Sequence, residues 1–233
     1  MTAAPTLTRH PDVLAWDVPA GWVALSSAAV GGGLLRPRWV LNAGVGDGFS
    51  RTDLATWSAE VAGQVGLTGR GCALLTAADV SQVQHAEVEG VLAWATVGVT
   101  KPTWPVRTGT INPATLEPGT THPGSINPGT INIVVTVPVP LSGSALVQAL
   151  GTITGAKAQV LVQAGVPGTG TASDAVVVLC PESSLEAGAE QVPFAGVRSP
   201  WGAVIARAVH DAVATGLAAH PWPAADVDPT VIW

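Results

Sequence analysis

The chain has 233 residues, 47% of them hydrophobic and 11% charged, with a formal net charge of −6. That balance, with no Lys/Arg cluster, argues against a nucleic-acid partner. No apolar stretch approaches the roughly eighteen residues that a membrane-spanning helix needs, and Met1–His10 lacks the basic and apolar regions of a secretory signal. The length fits one large domain or two small ones and is ample for a sizeable core. Cys72 and Cys180 both fall in expected strands and read as buried thiols of a cytoplasmic protein rather than a disulfide. Nine tryptophans with no tyrosine offer core bulk, or flat surfaces on which a large ring could stack.

In chain order, residues 1–20 are rich in Pro and Thr and read as an irregular lead-in. Strands are expected at Trp22–Ala28 and Trp39–Asn42, separated by Gly31-Gly32-Gly33. A triple glycine is a phosphate loop only when a helix follows, and here a strand does. The later Gly44-Val45-Gly46-Asp47-Gly48 precedes a helix, but Phe49 stands where the dinucleotide pattern needs its third glycine. A helix is expected over 50–65, capped by Ser50 and Asp53, with Leu54, Trp57, Val61 and Val65 inward. Cys72–Ala77 and Val91–Val99 read as strands on either side of a polar connection over 79–89. Residues 105–128 are low in complexity. Gly109-Thr110-Ile111-Asn112-Pro113 recurs as Gly124-Ser125-Ile126-Asn127-Pro128, and this stretch reads as a mobile loop.

The chain is organised around Gly129–Cys180. In Gly129–Val137 the residues Ile131, Ile133, Val135 and Val137 share one strand face, while Thr130, Asn132 and Thr136 share the other with Val134. Pro138 and Pro140 end the strand. A helix is expected over 142–164, stopped by Gly165 and Pro167. A Gly/Thr loop leads through Asp174 into the apolar strand Ala175–Cys180. Lys157 lies on the apolar stripe of the helix, so it must snorkel, pair with a carboxylate, or point into a site. Asp174 stands at the mouth of the most apolar strand, either capping loop amides or facing a ligand. A last helix starts at Ser199-Pro200 and carries Arg207, His210 and Asp211 on its polar face, which reads as a solvated face. Residues 221–233 form a tail without a strong signal. The expectation is one α/β domain over 21–220, with a mixed β-sheet of about six strands flanked by helices. An α+β layering is the alternative.

Several of these stretches, taken together and in order, resemble the adenosylcobinamide amidohydrolases of cobalamin salvage. They are Leu25-Ser26-Ser27-Ala28 before the glycine run, Asn42, Leu74–Ala78, Thr96-Val97-Gly98, Gly129–Ile133, Thr154-Gly155-Ala156-Lys157, and Thr169-Gly170-Thr171 before Asp174. The resemblance covers roughly residues 25–217. It departs where Gly155 replaces the family's glutamate, where the Thr-Gly-Thr loop fits with one residue of slack at Ala172-Ser173 before Asp174, and where Ser199-Pro200 stands at a place the family tends to fill with threonine. The resemblance implies a cytoplasmic hydrolase that splits the aminopropanol amide of adenosylcobinamide into adenosylcobyric acid and 1-amino-2-propanol. The corrinoid is expected as substrate, with no other cofactor and no membrane partner; the sequence carries no zinc motif to support a metal hydrolase, and self-association is left open. A corrinoid-binding protein that has lost the chemistry is the alternative, suggested by Gly155.

Amide hydrolysis needs a nucleophile, a donor for the oxyanion and an acid for the leaving amine. No Gly-x-Ser-x-Gly elbow or His-Glu-x-x-His pair is present. The catalytic candidates are Asp174 as base, Lys157 as oxyanion partner or proton shuttle, and Ser26 and Asn42. Ser27, Thr76, Thr96, Thr130, Asn132, Thr154, Thr169, Gly170 and Thr171 are the candidate substrate contacts. Ser26 or Ser27 as covalent nucleophile, and self-cleavage at Gly129-Thr130, are lesser options. The loop over 105–128 is a candidate lid above the corrinoid.

Overall fold

A computed structural model describes residues 3–46, 48–106, 129–183 and 191–223. The chain opens with β1 (Thr6–His10) and β2 (Val13–Asp17), a hairpin that turns at Asp12 with φ +59. This corrects the irregular lead-in expected for residues 1–20. Leu7 stands between Thr6 and Thr8 in β1, and β2 is the short apolar run Val13-Leu14-Ala15-Trp16, signals that the surrounding Pro and Thr content obscured. β3 (Trp22–Ser26), β4 (Gly33–Leu35) and β5 (Trp39–Gly44) follow, then α1 (Leu54–Gln64) and β6 (Gly71–Thr76). The expected polar connection over 79–89 holds a short 3₁₀ turn, Val80–Gln82, and a further strand, β7 (Gln84–Val88), hairpinned onto β8 (Val91–Val99). β9 (Gly129–Thr136), α2 (Gly143–Gln163), β10 (Ala175–Pro181) and α3 (Pro200–Ala219) complete the fold.

The strands form two sheets. One has the order β1-β2-β5-β6; the other, with six strands, has the order β4-β3-β10-β9-β8-β7. Both are mixed, since β5 runs parallel to β6 and β9 parallel to β10 while the other pairs are antiparallel. The α/β class and the six-stranded mixed sheet follow the sequence reading. The four-stranded sheet stacked on it does not appear in that reading.

Four layers result. Ala62 of α1 packs on Ala15, Trp39, Leu41 and Ala73, the outer face of the smaller sheet. Its inner face, with Leu14, Trp16, Val40 and Leu74, packs on Ala24, Trp94, Val134, Val177 and Leu179 of the larger one. Trp16 and Trp94 meet edge to face across that gap, with ring centroids 5.7 Å apart. The far face of the larger sheet carries Ile131, Ile133, Val135, Val176 and Val178 against α2 and α3. Each of these side chains is buried, a gain of about 1.5–3 kcal/mol apiece. Trp16, Trp22, Trp39 and Trp94 are core residues, which leaves their faces to protein neighbours.

The helix ends follow local chemistry. Ser142 Oγ accepts from Ala145 N at 3.1 Å, and Ser199 Oγ from Gly202 N at 3.1 Å. The expected Ser50/Asp53 cap on α1 does not form. Asp53 flanks the helix without a side-chain cap and instead takes a two-pronged Arg51 pair at 2.5 and 2.6 Å, a charge-assisted bond stronger than a neutral cap. Among the described residues α2 is long and apolar enough by composition to cross a membrane, and nine of its residues are buried within the protein.

Candidate functional site

β9 places its polar face against a second sheet rather than against solvent. All of its residues are buried, and Thr130 and Asn132 point into the space between the sheets. There the buried polar groups satisfy one another. Asn132 Nδ2 donates to Asn42 Oδ1 and to the Leu75 carbonyl, each at 2.9 Å. Its Oδ1 accepts from Ala175 N at 3.1 Å, and Asn42 Nδ2 donates to Thr96 Oγ1 at 3.0 Å. This network ties β5, β6, β8, β9 and β10 together at one end of both sheets.

The second cluster stands at the start of β10. Lys157 Nζ lies 2.5 Å from Asp174 Oδ2, with the two side chains only 8% and 9% exposed. Asp174 Oδ2 also accepts from Thr171 N at 3.0 Å, and its Oδ1 accepts from Ile131 N at 2.8 Å and from Thr171 Oγ1 at 2.5 Å. A carboxylate offers about four acceptor positions, so all are taken. The pair explains Gly170: a Cβ there would overlap Asp174 Oδ2 and come within 2.5 Å of Lys157 Nζ. Of the three fates open to a lysine on an apolar stripe, the structure realises pairing.

Between the clusters sits Thr130. Its Oγ1 is 3.0 Å from Ser173 Oγ and accepts from Ala77 N at 3.5 Å. Ala77 and Thr76 line an open cleft of about 380 Å³ with Asp12, Gly44, Val45, Gly46, Ala78, Asp79 and Val80. Thr76 Oγ1 accepts from Ala78 N at 3.0 Å and so shapes that rim.

The expected site residues therefore divide. Asn42, Thr96, Thr130, Asn132, Lys157, Gly170, Thr171 and Asp174 come together, with Thr76 at the rim. Ser26 and Ser27 do work at the end of β3: Ser26 Oγ accepts from Ala28 N at 3.0 Å, and Ser27 Oγ from Val176 N at 3.0 Å. Thr169 is held by its backbone, donating to the Thr103 carbonyl at 3.0 Å. Thr154 is exposed on α2 and bonds back to the Leu150 carbonyl at 3.0 Å, so it is not part of the cluster. Gly155 is exposed too, and a Cβ on it would meet nothing within 4 Å. It stands two residues from Lys157, nearly across the helix, so a glutamate there would project away from that lysine.

Sequence reading missed Ser173 and the Ala77 amide as partners of Thr130. Ser173 lay in view next to Asp174 in the Gly/Thr loop; a backbone amide carries no side-chain signal.

Burial pushes the Cys72 thiol up to about 12, with a hydrogen bond from Ser26 opposing it, and the Cys180 thiol up to about 11. Neither is a ready thiolate. Arg207, His210 and Asp211 form an ion-paired surface group, with the Arg207 side chain 71% exposed. Among the described residues no three His, Cys, Asp or Glu side chains gather as a metal site. The candidate lid lies largely in residues 107–128, outside the described residues.

The fold and site define a layered α/β protein with a hydroxyl- and amide-lined centre beside a buried ion pair. The model of the adenosylcobinamide amidohydrolase family matches residues 2–223, and the chain belongs to that family, hydrolases acting on an amide bond. A curated relative, the adenosylcobinamide amidohydrolase of Methanosarcina mazei, is 28% identical over 196 residues, covering 82% of this chain and 88% of its own. A crystal structure of a Pyrococcus horikoshii OT3 protein aligns over 88% of this chain and 77% of its own, with 14% identity and a TM-score of 0.43.

Proposed function

We propose that the protein hydrolyses the amide joining aminopropanol to the corrin ring of adenosylcobinamide, giving adenosylcobyric acid and 1-amino-2-propanol for corrinoid salvage in the cytoplasm. The family match across residues 2–223 carries the reading. The corrinoid is substrate, and no other cofactor takes part. The cleft beside Thr76 and Ala77 receives the amide, and the hydroxyl of Thr130 stands directly behind Ala77.

In this reading Asp174 is an anchor and not the base, because each of its acceptor positions already holds a donor. Lys157 neutralises that buried carboxylate, and the pair holds the 169–174 loop against β9. The Asn42–Asn132–Thr96 network fixes the end of the strands so that the hydroxyls keep their aim. The binding-only alternative rests on Gly155; a Cβ there would meet nothing within 4 Å, away from the Lys157 pair, which supports the catalytic reading.

Anaerobic incubation with adenosylcobinamide, read by mass spectrometry, tests the proposal. Cobyric acid and aminopropanol should both accumulate, with or without added chelator. Binding without product would overturn it.

A further inference from the structure

The peptide bond between Gly129 and Thr130 has an environment that its role in the strand does not require. Gly129 adopts φ +76, and a Cβ there would meet Thr100 N at 2.7 Å and Gly98 C at 3.0 Å, so only glycine fits. Its carbonyl oxygen lies 3.2 Å from Thr171 Oγ1 and 3.5 Å from Ser173 Oγ. The adjoining Thr130 hydroxyl is buried and lies 3.0 Å from the same Ser173 Oγ. A nucleophilic hydroxyl, a carbonyl next to it, and two hydroxyls on the carbonyl oxygen are the parts an acyl shift needs.

We propose that the chain cleaves its own Gly129–Thr130 bond and that Thr130, freed as an N-terminal residue, is the nucleophile of the amidase. Thr130 Oγ1 attacks the Gly129 carbonyl carbon. Its proton passes to Ser173 Oγ, which hands its own proton to the developing oxyanion. Thr171, whose single hydroxyl proton rests on Asp174 in the intact chain, turns it toward that oxygen as charge builds. The C–N bond then breaks and the nitrogen takes up the proton, leaving an ester on Thr130 and a free amine. One water hydrolyses the ester, so that Gly129 ends as a carboxylate and Thr130 recovers its hydroxyl. The new amine is then placed to take the proton of its own hydroxyl when a substrate amide is attacked. β9 stays in place after the cut, because β8 and β10 both pair with it along its length.

The nucleophile role rests on the amidase reading; the self-cleavage does not. The test is intact-mass spectrometry and N-terminal sequencing of the purified full chain, prepared with protease inhibitors, alongside turnover of adenosylcobinamide. Expected are two fragments, the second beginning at Thr130, with Thr130→Ala remaining a single chain and Thr130→Ser still cleaving. A native chain that stays whole, or a cut falling elsewhere, overturns the inference even if it turns over substrate. Cleavage at Thr130 without turnover would leave the self-processing standing and sink the amidase reading instead. Cleavage at the same bond in Thr130→Ala would show a foreign protease and refute the proposal. Circular dichroism of Thr130→Ala confirms that the whole chain is folded, and Ser173→Ala should slow processing by at least tenfold.

Discussion

Replacing Asp174 by Asn should destabilise the protein severely while changing its volume little. The carboxylate accepts four hydrogen bonds, from Lys157 Nζ, Thr171 N, Thr171 Oγ1 and Ile131 N. An amide has one oxygen, so its NH₂ group must face donors already in place. Lys157, only 8% exposed, is left as an uncompensated buried charge. Breaking one side of such a pair costs about 3–5 kcal/mol. In a domain of this length that corresponds to a fall in Tm of roughly 6–20 °C. Thermal melts by circular dichroism measure it, with turnover followed in parallel. Replacing both partners, as Asp174→Leu with Lys157→Met, should recover a good part of the loss, since no charge is stranded. A single variant melting within about 2 °C of the native protein would refute the reasoning, because the carboxylate would then not be holding the lysine.

Further tests follow from the same geometry. Asn132→Leu strips partners from Asn42, Leu75 and Ala175, each worth about 1–3 kcal/mol when left buried and unpaired, and urea unfolding should register a loss of that order. Gly155→Glu should leave turnover within about twofold of the parent, since the position faces open solvent. A large gain in rate would restore the idea that this glutamate is catalytic. The two thiols set an alkaline limit. Burial holds the folded thiols at about 12 and about 11, above the ordinary thiol value of 9.0, so above that value the unfolded chain releases protons that the folded chain keeps. Stability should therefore fall as pH rises from about 9 toward 11, and a Cys72→Ala, Cys180→Ala variant should show a shallower fall in urea midpoints. Equal slopes would refute the assignment.

The period-two alternation of β9 disclosed both of its faces in the sequence, and α2 was visible from its stripe and its Ser142 cap. Lys157 and Asp174 stood out because each violated its own pattern. The smaller sheet escaped notice because β1 and β2 are five residues long and lie in a stretch punctuated by Pro and Thr. With that sheet missing, the polar face of β9 looked free for a ligand, whereas most of it is occupied by Asn42 and Leu75. Thr154 entered the site through the match of Thr154-Gly155-Ala156-Lys157 to the family motif, yet it is exposed on α2 and its hydroxyl bonds back to the Leu150 carbonyl. Ser173 and the Ala77 amide meet Thr130 across more than forty residues of chain, which no local pattern encodes.

The amide network between the sheets also acts as a register pin. Slipping β9 by one residue against β8 and β10 would send Asn132 into the aliphatic layer under α2 and bring Ile131 or Ile133 against the Asn42 carboxamide. Apolar packing alone distinguishes poorly between neighbouring registers of a strand as rich in Val and Ile as this one. A single side chain with three fixed partners excludes the wrong alignments, and it does so at the end of the strand where a displacement of one residue would carry Thr130 out of reach of Ser173.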